Sequence, residues 1–219
     1  MTLALRSGLP PLPAQMKRLP IDPRGFPVPW FTPKINGEWN FQVADPMRVR
    51  QAFVGRLCWI CGTKLFRNLA FCIGPMCAIN RATSEPASHV ECASFATQAC
   101  PFLTRPRMRR APLEDKRDPP GIMLERNPGV VLLWVCRSYT RVPVGNGYLF
   151  SLGEPVRVEA FAEGRPATPQ ELEESIMSGL PALRALADAD PDPEGARTEL
   201  HGRILMARKL LKLYPRAEA

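Results

Sequence analysis

Two pairs of residues carry the chemistry of this chain: Cys58-x-x-Cys61 and His89-x-x-Cys92, with 27 residues between them. Thiolate sulfur and neutral imidazole nitrogen suit Zn2+, which takes four tetrahedral ligands of this kind in closed structural sites. Gly62 follows the first pair, and a glycine there lets the backbone turn so that both sulfurs reach one ion, as in a zinc knuckle. The second pair opens Val90 to Ala99, an alanine-rich stretch that reads as a helix. Ligands three apart in a first turn lie on one face. A knuckle, then a hairpin or irregular loop over Lys64 to Ile73, then a helix bearing the second pair is the order of a treble clef. The expected ligands are Cys58, Cys61, His89 and Cys92, and the expected cofactor is Zn2+. If the thiols were only small buried hydrophobes, nothing would account for two spaced pairs.

The stretch Cys58 to Cys100 holds six of the seven cysteines. Cys72 reads as a core residue, while Cys77 and Cys100 stand open as packing residues or as replacements for a chosen ligand. An iron–sulfur cluster fits poorly, since the spacing matches neither common ferredoxin run. His89-Val90-Glu91 is an H-x-E, which zinc deaminases combine with a later P-C-x-x-C. Here the C-x-x-C comes first, nothing of that form follows, and Cys92 as a fourth protein ligand closes the metal. A treble-clef nuclease needs a general-base histidine beside its metal. With His89 on zinc only His201 remains, in a C-terminal helix. No catalytic site assembles, and the reading leans away from an enzyme.

The surrounding elements must hold that site. Proline is frequent, 25 in 219 residues, so much of the chain is extended or turning. In residues 1–45, a Pro-rich N-terminal segment, the first dozen residues are expected to be loose, and the part from Leu19 onward to lie against the domain. No P-x-x-P with a basic anchor marks a docking peptide. Asn36-Gly37 predicts a type I′ turn between short strands at 30–35 and 38–43. Asp45-Pro46 predicts a helix start, with Met47, Ala52 and Phe53 on its apolar face. Val130 to Tyr139, Tyr148 to Leu152 and Val156 to Phe161 read as strands, with a turn at Gly145-Asn146-Gly147. Val156, Val158 and Ala160 alternate with Arg157 and Glu159 to give one buried face. Thr168-Pro169-Gln170-Glu171 is a capping box. A separate short helix is expected at Pro181 to Ala187, and a last helix at Gly195 to Tyr214 with Leu200, Ile204, Ala207 and Leu211 inward.

The net charge of +8 is uneven. Residues 1–130 hold 18 Lys+Arg and 9 Asp+Glu, or +9, and residues 131–219 hold 11 and 12, or −1. A basic half points to a polyanion-facing surface. Its densest run is residues 104–120, where prolines exclude a long helix and no aromatics interleave for base stacking. An extended arginine arm of this kind suits a nucleic-acid backbone, and a solvated linker is the bland alternative. Lys64, Arg67, Arg81, Arg105, Arg107, Arg109 and Arg110 are the expected phosphate contacts. No signal peptide or membrane-length apolar run is present, so a reducing cytoplasm with metal-bound thiolates is expected.

Gly74-Pro75-Met76-Cys77-Ala78-Ile79-Asn80-Arg81, then Glu85-Pro86, His89, Glu91-Cys92-Ala93 and Cys100-Pro101-Phe102, resembles a family of uncharacterised bacterial and phage proteins with a Cys/His zinc-binding motif. The likeness extends from Leu19-Pro20-Ile21-Asp22 to Gly164-Arg165-Pro166-Ala167-Thr168. It implies a shared fold with a metal centre and brings no function with it.

The expected fold is α+β: a treble-clef-like zinc module at 46–103, a basic Pro-rich linker at 104–128, and a small antiparallel β-sheet with C-terminal helices at 129–219. The Pro-rich head packs on one of the two modules, which are free to share a core. The expected role is a zinc-stabilised binding protein that meets nucleic acid. The rival is a protein–protein interaction or assembly component with a structural zinc, and a zinc-dependent enzyme acting on nucleic acid ranks third.

Overall fold

The computed structural model describes residues 4–41, 43–105, 127–145 and 147–212. The proline-rich start is a strap held on the core, where a loose end was expected. Leu9, Leu12, Met16 and Leu19 pack on the main apolar cluster, and the Arg6 amide donates to the Gly25 carbonyl at 2.9 Å. Asp22, only 2% exposed, organises the turn beneath it. Its carboxylate accepts from the Arg24 and Phe26 amides, both at 2.9 Å, and pairs with the Arg24 guanidinium.

The Asn-Gly hairpin forms, with φ +52 at Asn36 and +84 at Gly37 as its turn type requires. Its strands are short: β1 is Lys34–Ile35 and β2 is Glu38–Trp39. Pro29 and Pro33 bring no amide to a longer ladder, and the Trp30 amide donates instead to Ile60 at 2.7 Å. Helix α1, Pro46–Gly55, starts where Asp45-Pro46 predicts, with Asp45 Oδ1 accepting from the Met47 amide at 2.9 Å. Among its residues Ala52 is buried and Phe53 meets Tyr139 and Phe150, whereas Met47, expected inward, is 62% exposed. Arg48, next to Met47 in the first turn, lies over the Trp30 ring at 5.4 Å, while Met47 turns to water.

The chain continues through β3 (Leu69–Ile73), α2 (Pro75–Asn80), β4 (Ala82–Thr83), α3 (Val90–Ala99) and α4 (Pro101–Thr104). After the segment 106–126 come β5 (Val131–Cys136), β6 (Tyr139–Val144), β7 (Gly147–Leu152), β8 (Pro155–Ala162), β9 (Arg165–Pro166), α5 (Pro169–Asp188) and α6 (Pro193–Leu210). Helices and small antiparallel sheets together make an α+β fold. One sheet has the order β3-β5-β8-β9 and another β4-β7-β6. Both sheets join strands from before and after segment 106–126.

All six residues of β5 are buried, so it reads as a continuous apolar run. Leu132, Trp134 and Cys136 join the main cluster, which extends from Met16 through Cys58 to Ala207. Val131, Leu133 and Val135 face the other way, onto a second cluster with Ala70, Ala93 and Phe161. Helices α2 and α3 both pack against β5. In β8, Val158 and Ala160 pack inward as expected, but Val156 is 54% exposed. The register shifts between Val135 and Cys136, which pair with Arg157 and Pro155, and the extra residue Val156 is left out of the ladder. Hairpin β6–β7 closes with Val144 opposite Gly147 and Gly145 at φ +54.

Helix α5 opens on the predicted capping box and then runs unbroken through Pro181, where a separate piece was expected. Proline removes the bond to the carbonyl four residues back. That residue, Met177, lies on an exposed side where water can replace the lost donor. Gly179 lets α5 approach α2 closely, since a Cβ there would lie 2.6 Å from Met76 Sδ. Helix α6 starts two residues earlier than expected, capped by Asp192 accepting from the Gly195 amide at 3.1 Å. Ala207 is buried and Leu200, Ile204 and Leu211 pack on the core as the spacing predicts. No helix among the described residues is long and apolar enough to cross a membrane.

Candidate metal centre

The first ligand pair sits on a tight turn tied by its own backbone. Leu57 and Lys64 form a bridge, the Cys58 amide donates to Thr63 and the Gly62 amide to Cys58, both at 2.7 Å. Gly62 has φ +69, and a Cβ there would lie 2.5 Å from Trp30 Cγ, so only glycine fits under that ring. The second pair arrives on the N-terminus of α3, with His89 as its N-cap. Two backbone contacts hold it in register. Ser88 exchanges bonds of 2.8 and 2.9 Å with Ala70 of β3, and the Trp59 amide donates to Ala87 at 2.9 Å. That last bond joins the two ligand segments directly.

Cys58, Cys61, His89 and Cys92 are all buried, and their ligand atoms lie within 4.8 Å of one another. These four residues are a cluster that could hold a metal ion. His89 Nε2 lies 2.8 Å from the Lys64 carbonyl, which can only accept, so Nε2 carries the proton. Nδ1 then keeps the lone pair and faces the sulfurs, 3.4 Å from Cys61 Sγ and 3.9 Å from Cys92 Sγ. Phe66 covers the imidazole at a centroid distance of 4.8 Å. Cys58 Sγ accepts from the amides of Cys61 at 3.4 Å and His89 at 3.3 Å, and Thr63 Oγ1 lies 3.0 Å from Cys61 Sγ. Such donors favour thiolate.

The sulfurs compete for a single negative charge. Hydrogen bonds with Cys58 and Cys92 hold the Cys61 thiol far below its ordinary value, while bonds with Cys58 and Cys61 drive Cys92 far above it. Cys58 is also pushed up, first by its bond with Cys61. A cation at the centre removes this conflict, because all sulfurs can then ionise against it. The donor set therefore fits a thiophilic divalent ion.

The other cysteines have other surroundings. Cys72 Sγ donates to the Ala93 carbonyl at 3.4 Å, and burial pushes its thiol up, as it does for Cys100 and Cys136. Among the described residues, neither Cys77 nor Cys100 belongs to the ligand cluster.

Of the expected phosphate contacts, Lys64, Arg67, Arg81 and Arg105 are among the described residues. Lys64 is exposed, and its ammonium donates at 2.9 Å to the Gly55 carbonyl at the end of α1. Arg67 is exposed and lines a shallow recess of 160 Å³ with Phe66, Asn68 and Glu91. Arg81 is half-buried at φ +50 and pairs with Glu154. Arg105 is exposed, and Arg107, Arg109 and Arg110 lie outside the described residues. The supports Trp30, Thr63 and Ser88 carry no spacing signal. Only Gly62, directly after the first pair, pointed to a tight turn there.

Comparison with protein-family models, curated proteins and solved structures finds no match for this chain.

Proposed function

We propose that this chain is a zinc-stabilised, non-enzymatic binding protein whose basic N-terminal half contacts nucleic acid. The observation that carries the zinc is the buried set of three sulfurs and one nitrogen within 4.8 Å. Four protein ligands complete a tetrahedral shell and leave no open position for water or substrate, as in structural sites. The shell would be treble-clef-like. The tied turn supplies Cys58 and Cys61, α3 supplies His89 and Cys92, and β3 with its Ser88 bridge stands where the hairpin stands, with α2 and β4 inserted between.

The nucleic-acid reading rests on charge. The excess of +9 over residues 1–130 is unmatched by the −1 of residues 131–219, and Arg67 and Arg105 remain exposed without an ion pair among the described residues. A polyanion bound this way releases counterions, so affinity falls steeply with salt. Binding of labelled single- and double-stranded DNA and RNA across a salt series is the test. Affinity that weakens log-linearly with salt supports the reading. No binding even at low salt removes it.

In that event the assembly reading takes its place. It is favoured by exposed apolar side chains on the β6–β7 hairpin, with Val142 42%, Val144 36% and Tyr148 45% exposed.

A further inference from the structure

A second basic feature lies outside the metal centre, where the N-terminal strap crosses the end of α3 and the start of α4. A groove of 210 Å³ opens there, lined by Arg6, Ser7, Phe26, Gln98, Thr104 and Arg105 among others, with no acidic residue on its walls. Arg6 and Arg105 are some hundred positions apart in sequence, and the fold brings them to one concave site. Neither has an ion pair among the described residues.

Both arginines stand on fixed backbone. The Arg6 amide is bound to Gly25 at 2.9 Å, and its guanidinium lies over the Phe26 ring at 5.6 Å. The Arg105 carbonyl accepts from buried Asn127 Nδ2 at 3.0 Å. Other polar groups of the groove are already engaged: Gln98 Nε2 donates to Ser94 at 3.0 Å and Thr104 Oγ1 to Cys100 at 3.1 Å. The side-chain donors left for a ligand are guanidinium N–H groups and the Ser7 hydroxyl. Guanidinium forks on a rigid base match the oxygens of a phosphate and bind it with charge-assisted hydrogen bonds.

We propose that this groove is a phosphate-binding site that seats a backbone phosphate of nucleic acid between Arg6 and Arg105. The inference rests on the nucleic-acid reading above and gives it an anchor that does not involve the zinc.

The test is fluorescence anisotropy with labelled oligonucleotides across a salt series, on the zinc-loaded full chain. Arg6→Gln combined with Arg105→Gln should weaken binding about tenfold or more and flatten the log–log salt slope by about 1 to 2. Ser7→Glu, which puts an acid in the groove and leaves both arginines in place, should weaken binding likewise. Arg184→Gln, an exposed charge on α5, should change neither quantity. Unaltered affinity and slope in the first two variants, with wild-type melting curves, overturns the groove. A parallel titration with inorganic pyrophosphate separates the two ideas. If wild type binds pyrophosphate, the double variant does not, and oligonucleotides do not bind, the site stands and its ligand is not nucleic acid. If neither probe binds wild type, both proposals fall.

Discussion

Gly62 has positive φ and the Trp30 indole where a side chain would go. A left-handed backbone costs a non-glycine residue about 1–2 kcal/mol, and here the neighbour is a ring that is itself packed on the core. Gly62→Ala should therefore lower stability by more than about 2 kcal/mol in thermal melts, while the proposed zinc is retained by metal analysis. The ligands behave differently, because structural zinc binding is coupled to folding. Cys92→Ala should lose both metal and the cooperative transition, whereas Cys77→Ala and Cys100→Ala should keep one zinc per chain. Full zinc in the Cys92 variant would remove it from the shell. The ligand cluster was legible at this scale because Cys and His in pairs three apart are what a tetrahedral ion requires and what packing alone does not. The choice among Cys77, Cys92 and Cys100 was less so. It depends on which sulfurs α3 turns toward the knuckle, a matter of three-dimensional packing.

Among the elements, α5 carries a pH-dependent anchor. Glu171 closes the capping box with Thr168 and also holds the Arg165 guanidinium, and these contacts, Arg165 foremost, pull its carboxyl down to about 2. A carboxyl held below its unfolded value stabilises the fold above that value and loses its effect as pH falls through the folded one. The difference in melting temperature between wild type and Glu171→Gln should be present at pH 7 and shrink as pH falls from 4.5 toward about 2. A constant difference across that window would show that the carboxylate charge contributes nothing. Local signals of this sort were readable in the sequence: the caps at Asp45 and Thr168, the Asn36-Gly37 turn, the span of α3. The partners of the strands were not. Nothing in Leu69–Ile73 or Val131–Cys136 names the other, since periodicity reports which face is buried and leaves the neighbour open. Pro181 misled for a related reason, because a helix supported along its length by α2 and α6 tolerates a residue that ends an isolated one.

At the level of the molecule, the half with the Cys/His cluster and the C-terminal half share their sheets: β3 lies against β5, and β4 against β7. A fragment spanning 46–103 would expose one edge of β3 and the apolar residues that β5 covers. Even with zinc it should lack the dispersed amide spectrum of a folded domain, and the intact chain should melt in one transition. A folded, zinc-bound 46–103 fragment would count against this dependence. Asn127 adds a detail to that interlock. Its amide donates to Phe102 at 2.6 Å and to Arg105 at 3.0 Å, so the chain departs after Arg105 and comes back to the same spot. The two ends of segment 106–126 are thus fastened to each other, and the halves on either side of it are already joined through their shared sheets. A protease cut anywhere in 106–126 should leave a nicked but assembled protein. The same stretch is also the place to open new termini by circular permutation, or to insert a guest domain, without disturbing the core.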